Sequence, residues 1–258
     1  MAIVTSTVGF VLSLVSLLSL VTMNRSAVAA ALSNQSPSSK KGALIFLHGL
    51  GDTPAGWSSI EQALPSIRPK LKDIAYVFPH APIIPISING GATMPGWFDL
   101  YDWPISVGSQ DDKEGLLRGV KQIEDEVEKL NASGIPSSKI VVGGFSQGGA
   151  VSLLSCYRRS GEAFAGCAAL SAWLTLPEEL KVSEEAKKSP LFWAHGRMDD
   201  KVLFEQQAFG VTKLKSQGVN IIDKVYDMGH SSHPKEMDDL ADFLERTLFP
   251  NEEIAQEL

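Results

Sequence analysis

Val141-Val142-Gly143-Gly144-Phe145-Ser146-Gln147-Gly148-Gly149-Ala150 is an apolar strand that runs into a Gly-x-Ser-x-Gly turn and then into a helix. A serine on so sharp a turn sits in a strained backbone conformation, and glycines two residues to either side let the chain fold back without side-chain clashes. The turn lifts Ser146 Oγ out of the packed layers and sets it at a helix N-terminus, where free N–H groups receive negative charge. Short Gly/Ser patterns arise by chance. Strand before and helix after are what give this one meaning, and the rest of the chain must then supply a base and an acid.

Around the turn, short apolar runs alternate with helical patterns. The strand candidates are 43–47, 75–78, 139–143, 166–170, 191–194 and 221–226, apolar on both faces as buried parallel strands are. Helices are expected over 57–64, 114–130, 147–157, 204–217 and 234–248. The second is clearest, with Leu116, Leu117, Val120, Ile123, Val127 and Leu130 on one face, Asp111 and Asp112 at its start, and Gly134 and Pro136 past its end. This alternation predicts an α/β fold, a mostly parallel central sheet with helices on both faces. Ala81 to Asp99 interrupts the rhythm. It is rich in Pro, Gly and Ile and has no helix signal, and long insertions of this kind over a sheet are usually functional.

The chain has 258 residues, room for one such domain, and a formal net charge of −7 with no basic stripe, which argues against nucleic acid as a partner. Cys156 and Cys167 read as small buried hydrophobes, without a disulfide framework. Residues 1–39 are expected to lie outside the fold and 40–258 to form the domain. Met1 to Met23 carries no charged side chain, and small residues follow Arg25, so the segment reads as a membrane anchor or a signal peptide. Positive charge at Arg25, Lys40 and Lys41 would leave an anchored domain cytoplasmic. A cleaved signal would instead send it down the secretory pathway, where the Asn24, Asn34 and Asn131 sequons would matter.

A serine nucleophile needs a base held by a third group. Five histidines compete. His48 and His80 precede Ser146, and His195 ends a strand but precedes the acidic pair Asp199-Asp200. His230 follows the last strand and fits the order Ser, Asp, His used on sheets of this class. His233 is the second candidate base, and Pro234 after it suggests a helix start, which would leave it a surface or capping role. For the acid, Asp227 is too close to His230 in sequence, and spacing favours Asp199 over Asp200 only slightly. The oxyanion donors expected are the N–H of Gln147 and the N–H of Leu50, in the glycine-rich loop Leu47-His48-Gly49-Leu50-Gly51-Asp52. That loop has neither dinucleotide nor P-loop spacing. A zinc site at His230 and His233 lacks a third ligand, so neither metal nor cofactor is expected.

Five blocks in order, Leu47-His48-Gly49-Leu50-Gly51-Asp52-Thr53, Phe78-Pro79-His80-Ala81-Pro82, Met94-Pro95-Gly96-Trp97-Phe98-Asp99, Gly144 to Ala150 and Gly229-His230-Ser231-Ser232, resemble the acyl-protein thioesterase and lysophospholipase-like carboxylesterase family. The resemblance runs from about 41 to 249. It implies an α/β-hydrolase fold, cofactor-free hydrolysis of thioesters and esters, and a triad of Ser146, Asp199 and His230, with Asp199 chosen because the family's acid stands four residues after the His-Gly histidine. It implies a lid-like loop from Ile83 to Met94, with Ile86 and Ile88, beside an acyl channel near Trp97, Phe98 and Trp173. The implied partners are acylated proteins or lipid esters, a membrane surface and a second copy in a weak homodimer. A short-chain esterase or deacetylase and a non-catalytic ligand receptor are the rival readings. The chain departs from the family pattern at Arg197 and Asp200, where an acid and a proline are usual, and at Ala172, where a cysteine is usual.

Overall fold

The computed structural model describes residues 40–250, so the expectations for the N-terminal anchor or signal segment lie outside the described residues. Among the described residues no helix is long and apolar enough to cross a membrane. The strands are β1 (Gly42–Leu47), β2 (Ile74–Val77), β3 (Ile83–Ile86), β4 (Ala92–Pro95), β5 (Ile140–Phe145), β6 (Gly166–Leu170), β7 (Leu191–Gly196) and β8 (Ile221–Tyr226). The helices are α1 (Pro54–Trp57), α2 (Ile60–Ile67), α3 (Lys113–Ala132), α4 (Gln147–Arg158), α5 (Glu205–Ser216) and α6 (Pro234–Leu248). Six strands form one sheet in the order β2-β1-β5-β6-β7-β8, and each neighbouring pair is parallel.

Side chains of a strand alternate between the two faces of its sheet, so a strand buried on both sides feeds two cores. Ala43, Ile45 and Leu47 of β1 and Leu191 and Trp193 of β7 join one cluster, with Leu116 and Ile123 of α3, Val151 and Leu154 of α4 and Leu214 of α5. Leu44 and Phe46 of β1 and Phe192 and Ala194 of β7 join the other, with Leu64 of α2 and Leu240 and Leu244 of α6. Burying both faces is what makes these strands read as unbroken apolar runs.

Three expectations need correction. The helix expected over 57–64 is split: α1 ends at Trp57 and α2 begins at Ile60, with Ser58 and Ser59 between them. Serine hydroxyls compete with helical backbone bonds, and Ser58 Oγ donates to the Ala55 carbonyl. β8 is not apolar on both faces. It is an edge strand carrying Asp223 and Lys224, and Ile222 and Val225 are exposed. The interruption at 81–99 holds an antiparallel hairpin: β3 pairs with β4 in the register Ile83 to Pro95, turning through Gly90 and Gly91 at positive φ. Pro85 is tolerated because a two-stranded ribbon leaves each strand one free edge.

Candidate active site

The carboxyl ends of β1, β5, β7 and β8 converge, the place where open parallel sheets gather ligands. β5 delivers Ser146 at φ 54° and ψ −121°, a conformation costly for any residue with a Cβ. Its N–H donates to the Leu170 carbonyl at 2.8 Å and its carbonyl accepts from Ala150 at 3.0 Å, so the bonds of both flanking elements hold it there. The two motif glycines are required by close approach. A Cβ at Gly144 would stand 2.7 Å from the Leu47 carbonyl oxygen, and one at Gly148 would collide with the Leu47 and His48 carbonyls.

His230 follows β8 and bridges the site. Ser146 Oγ lies 2.9 Å from its Nε2, and Asp199 Oδ2 lies 2.7 Å from its Nδ1. A carboxylate only accepts, so Nδ1 carries the proton and Nε2 turns its lone pair to the serine hydroxyl. The ring packs on Phe145 with centroids 4.7 Å apart, and Phe145 packs on Trp57 at 5.2 Å. Asp199 is buried, and its Oδ1 accepts from the N–H groups of Lys201 and Val202, each at 2.9 Å. Burial pushes this carboxyl up, but the hydrogen bond and charge of His230 and the two N–H groups outweigh it and hold it below the usual carboxylate range. Asp200 points away to pair with Lys201 at 3.1 Å, and the exposed Asp227 pairs with Arg197 at 3.1 Å. His233 accepts from Lys235 N–H at 3.1 Å in the capping box of α6. Among the described residues no cluster of His, Cys, Asp and Glu is placed to hold a metal ion.

Gln147 opens α4, where its N–H has no carbonyl one turn back to accept it. Across from it the loop carrying Leu50 is tied down at several points. His48 Nδ1–H donates to the Gly49 carbonyl at 2.8 Å, and Nε2 accepts from Ala81 N–H at 3.3 Å. Those partners fix a neutral tautomer, and burial lowers the tendency of His48 to charge. Gly51 N–H donates to the Pro95 carbonyl and the Trp97 indole donates to the His48 carbonyl, both at 2.8 Å. The Gln147 side chain closes this frame: Oε1 accepts from Trp97 N–H at 2.9 Å, and Nε2 donates to the Phe98 carbonyl at 2.6 Å. The sequence predicts a backbone role for Gln147, and the structure adds this side-chain one. Its amide next to a serine nucleophile was the available signal.

Ser146 and His230 open on a cavity of about 480 Å³, walled by Leu50, Trp57, Leu100, Trp103, Ile105, Phe145, Trp173 and Val202. A second groove of about 430 Å³, lined by Leu50, Ile88, Asn89, Met94 and Trp103, continues from the shared Leu50 and Trp103. Trp173, Ile88 and Met94 therefore line this space. Ile86, Trp97 and Phe98 do not: all three are buried in the core, and bonds to Gln147 and His48 hold Trp97 and Phe98 there. Ile83 is exposed and lines neither space. Trp103 and Ile105 do line it and were not anticipated. Ile105 N–H donates to the Lys201 carbonyl at 2.8 Å and Leu203 N–H donates back to Ile105 at 2.9 Å, a parallel bridge that sequence spacing does not reveal.

Residues 29–248 match the phospholipase/carboxylesterase family model. An acyl-protein thioesterase 1 of Cryptococcus neoformans is 38% identical over 222 residues, covering 80% of this chain and 92% of that protein. The crystal structure of Arabidopsis thaliana SOBER1 superposes with a TM-score of 0.74 at 33% identity, covering 80% of this chain and 99% of that one. That of Zea mays acyl-protein thioesterase 2 gives a TM-score of 0.72 at 31% identity, covering 83% and 96%. An elbow serine at the mouth of an apolar cavity, on a parallel sheet shared with these proteins, places the chain in the phospholipase/carboxylesterase family of α/β-hydrolases.

Proposed function

We propose that the protein hydrolyses carboxylic esters and thioesters of fatty acyl groups, acting on acylated proteins or lipid esters. One observation carries the proposal: the unbroken line of contacts from Asp199 through His230 to Ser146 Oγ, ending at an apolar cavity. A fatty chain loses apolar surface to such walls at roughly 25 cal/mol per Å² buried, and its carbonyl is left beside the serine. The names of the relatives support the thioester class.

In the reaction Ser146 Oγ attacks the acyl carbonyl while His230 Nε2 takes its proton. The Leu50 and Gln147 N–H groups receive the oxyanion, and Asp199 orients the imidazole and offsets its charge without becoming protonated. The tetrahedral adduct collapses. Its carbon–sulfur or carbon–oxygen bond breaks, and His230 gives its proton to the leaving thiolate or alkoxide. Water then attacks the acyl-enzyme, giving a proton to His230 as its oxygen bonds the acyl carbon. The bond to Oγ breaks, and His230 returns the proton to the serine. Trp57, Trp103 and Trp173 line the space where this occurs. Work on fatty acyl substrates suits a membrane surface, and an N-terminal apolar anchor would serve it.

The experiment is turnover of an S-palmitoyl peptide and of acyl esters of two to sixteen carbons. Ser146→Ala lowers kcat by on the order of 10⁶-fold. Comparable turnover in that variant refutes the mechanism. A preference confined to the shortest chains refutes the fatty acyl assignment and supports the short-chain esterase reading.

A further inference from the structure

His195, the penultimate residue of β7, takes no part in the steps above, yet it is fully buried four residues before Asp199. Its Nε2 lies 2.9 Å from the Val202 carbonyl and 3.5 Å from Asp199 Oδ2, and its Nδ1 is buried without a hydrogen-bond partner. A carbonyl accepts, so the proton is on Nε2. Val202 in turn donates its N–H to Asp199 Oδ1 at 2.9 Å. We propose that His195 is a positioning residue for the acid: by holding the buried Val202 carbonyl it keeps the 199–202 turn closed on Asp199 and sets a positive N–H edge beside the oxygen that His230 uses. The inference rests on the proposed roles of Ser146, His230 and Asp199.

Packing alone does not account for the residue. A leucine or phenylalanine would fill the space without an unpaired nitrogen, whose burial is costly. Without His195 the Val202 carbonyl, on a residue buried from solvent, would lose its partner. The titratable groups that face the ring are Asp199 and His230, and Phe204 packs beside it with centroids 6.1 Å apart. Burial works against the charged ring more strongly than the Val202 carbonyl and the Asp199 charge favour it. A neutral His195 therefore polarises Asp199 without taking the counter-ion role that belongs to His230.

The test is the second-order rate at which a fluorophosphonate labels Ser146, with kcat and KM for p-nitrophenyl butyrate, in His195→Phe, His195→Gln and His195→Asn of the full-length protein. The glutamine amide reaches the place of Nε2, whereas the asparagine amide reaches only that of Nδ1. Labelling and kcat are expected to fall about ten- to a hundredfold in the Phe and Asn variants, with KM within about twofold, and Gln should recover most of the loss. Equal rates in all three variants, a Gln variant no better than Asn, or a loss that appears only as a smaller labelled fraction would each overturn the proposal. Labelling needs no acyl substrate, so a protein that labels normally but spares thioesters sinks the substrate assignment alone. A wild-type protein that does not label sinks both.

Discussion

Gln147 offers a perturbation whose cost can be worked from the structure. Gln147→Leu keeps the backbone N–H assigned to the oxyanion and roughly keeps the side-chain volume. It deletes the bonds to Trp97 N–H and the Phe98 carbonyl, both on buried residues. An orphaned buried polar group costs about 1–3 kcal/mol, so the pair costs about 2–6 kcal/mol. That is a large share of the roughly 5–15 kcal/mol that stabilises a domain. Urea unfolding followed by tryptophan fluorescence reads it: with a slope of about 2 kcal/mol per molar, the midpoint drops by about 1–3 M. Turnover should fall as well, because Trp97 anchors the His48 carbonyl and Pro95 anchors Gly51 on either side of Leu50. Gln147→Glu separates the two bonds. It keeps the acceptor for Trp97 but turns an ionised oxygen toward the Phe98 carbonyl. The folded state then favours the protonated form, so stability is highest below the ordinary carboxylate range and is lost as pH rises. A leucine variant that loses under about 1 kcal/mol, or a glutamate variant indifferent to pH, would refute the clamp.

Three more outcomes are open to measurement. Glu236 is buried at the start of α6, with Oε2 accepting from His233 N–H at 3.3 Å and Oε1 unpartnered, and burial raises its carboxyl from 4.5 to about 8. Between those values the folded state holds a proton that the unfolded state has released, so stability falls as pH climbs through this window, by on the order of a few kcal/mol. Glu236→Gln should flatten that slope in unfolding titrations at pH 5 and pH 8.5, and an unchanged slope would disprove the assignment. Gly148→Ala drives a Cβ into the Leu47 and His48 carbonyls and should cost about 3 kcal/mol or abolish labelling of Ser146, while wild-type stability with full labelling would contradict the steric argument. Met94→Trp fills the second groove and should shift the acyl-length optimum to shorter chains with little change for acetyl esters, and an unmoved optimum would show that the chain lies elsewhere.

Residues that act through local pattern were legible in the sequence. β1, β5, β6 and β7 are buried on both faces, so their apolar runs have no competing explanation, and Gly144 and Gly148 mark the elbow because nothing larger fits. β8 departs from that pattern: Ile221 and Ile222 lead it, while Asp223 and Lys224 belong to an exposed edge. At the site, chain order carried the choice of His230 but could not choose between adjacent aspartates. What brings His230 to Asp199 is the turn whose N–H groups close on one carboxylate while Asp200 swings to Lys201. The family resemblance implies Trp97 and Phe98 near the acyl channel, and both lie buried in the core. Their backbone bonds to Gln147, some fifty positions away, are long-range facts that no spacing contains. Trp103 and Ile105 stayed hidden for the same reason.

The bridge between Ile105 and the 201–203 segment divides the cavity wall into a part that can vary and a part that cannot. Any change of backbone at Ile105 is passed through Lys201 and Val202 to the carboxylate behind His230. The β3–β4 hairpin has a different kind of attachment. Ser87 bonds to Asp99, and Ile88 donates to the Leu100 carbonyl at 3.0 Å, and neither bond involves the 199–202 turn. On the proposed function, divergence among duplicated copies of such a gene has an open route through the hairpin, where loss or gain of a methylene would change the room for an acyl chain. The opposite wall is closed to that route, since each innovation there would be filtered first by its damage to turnover.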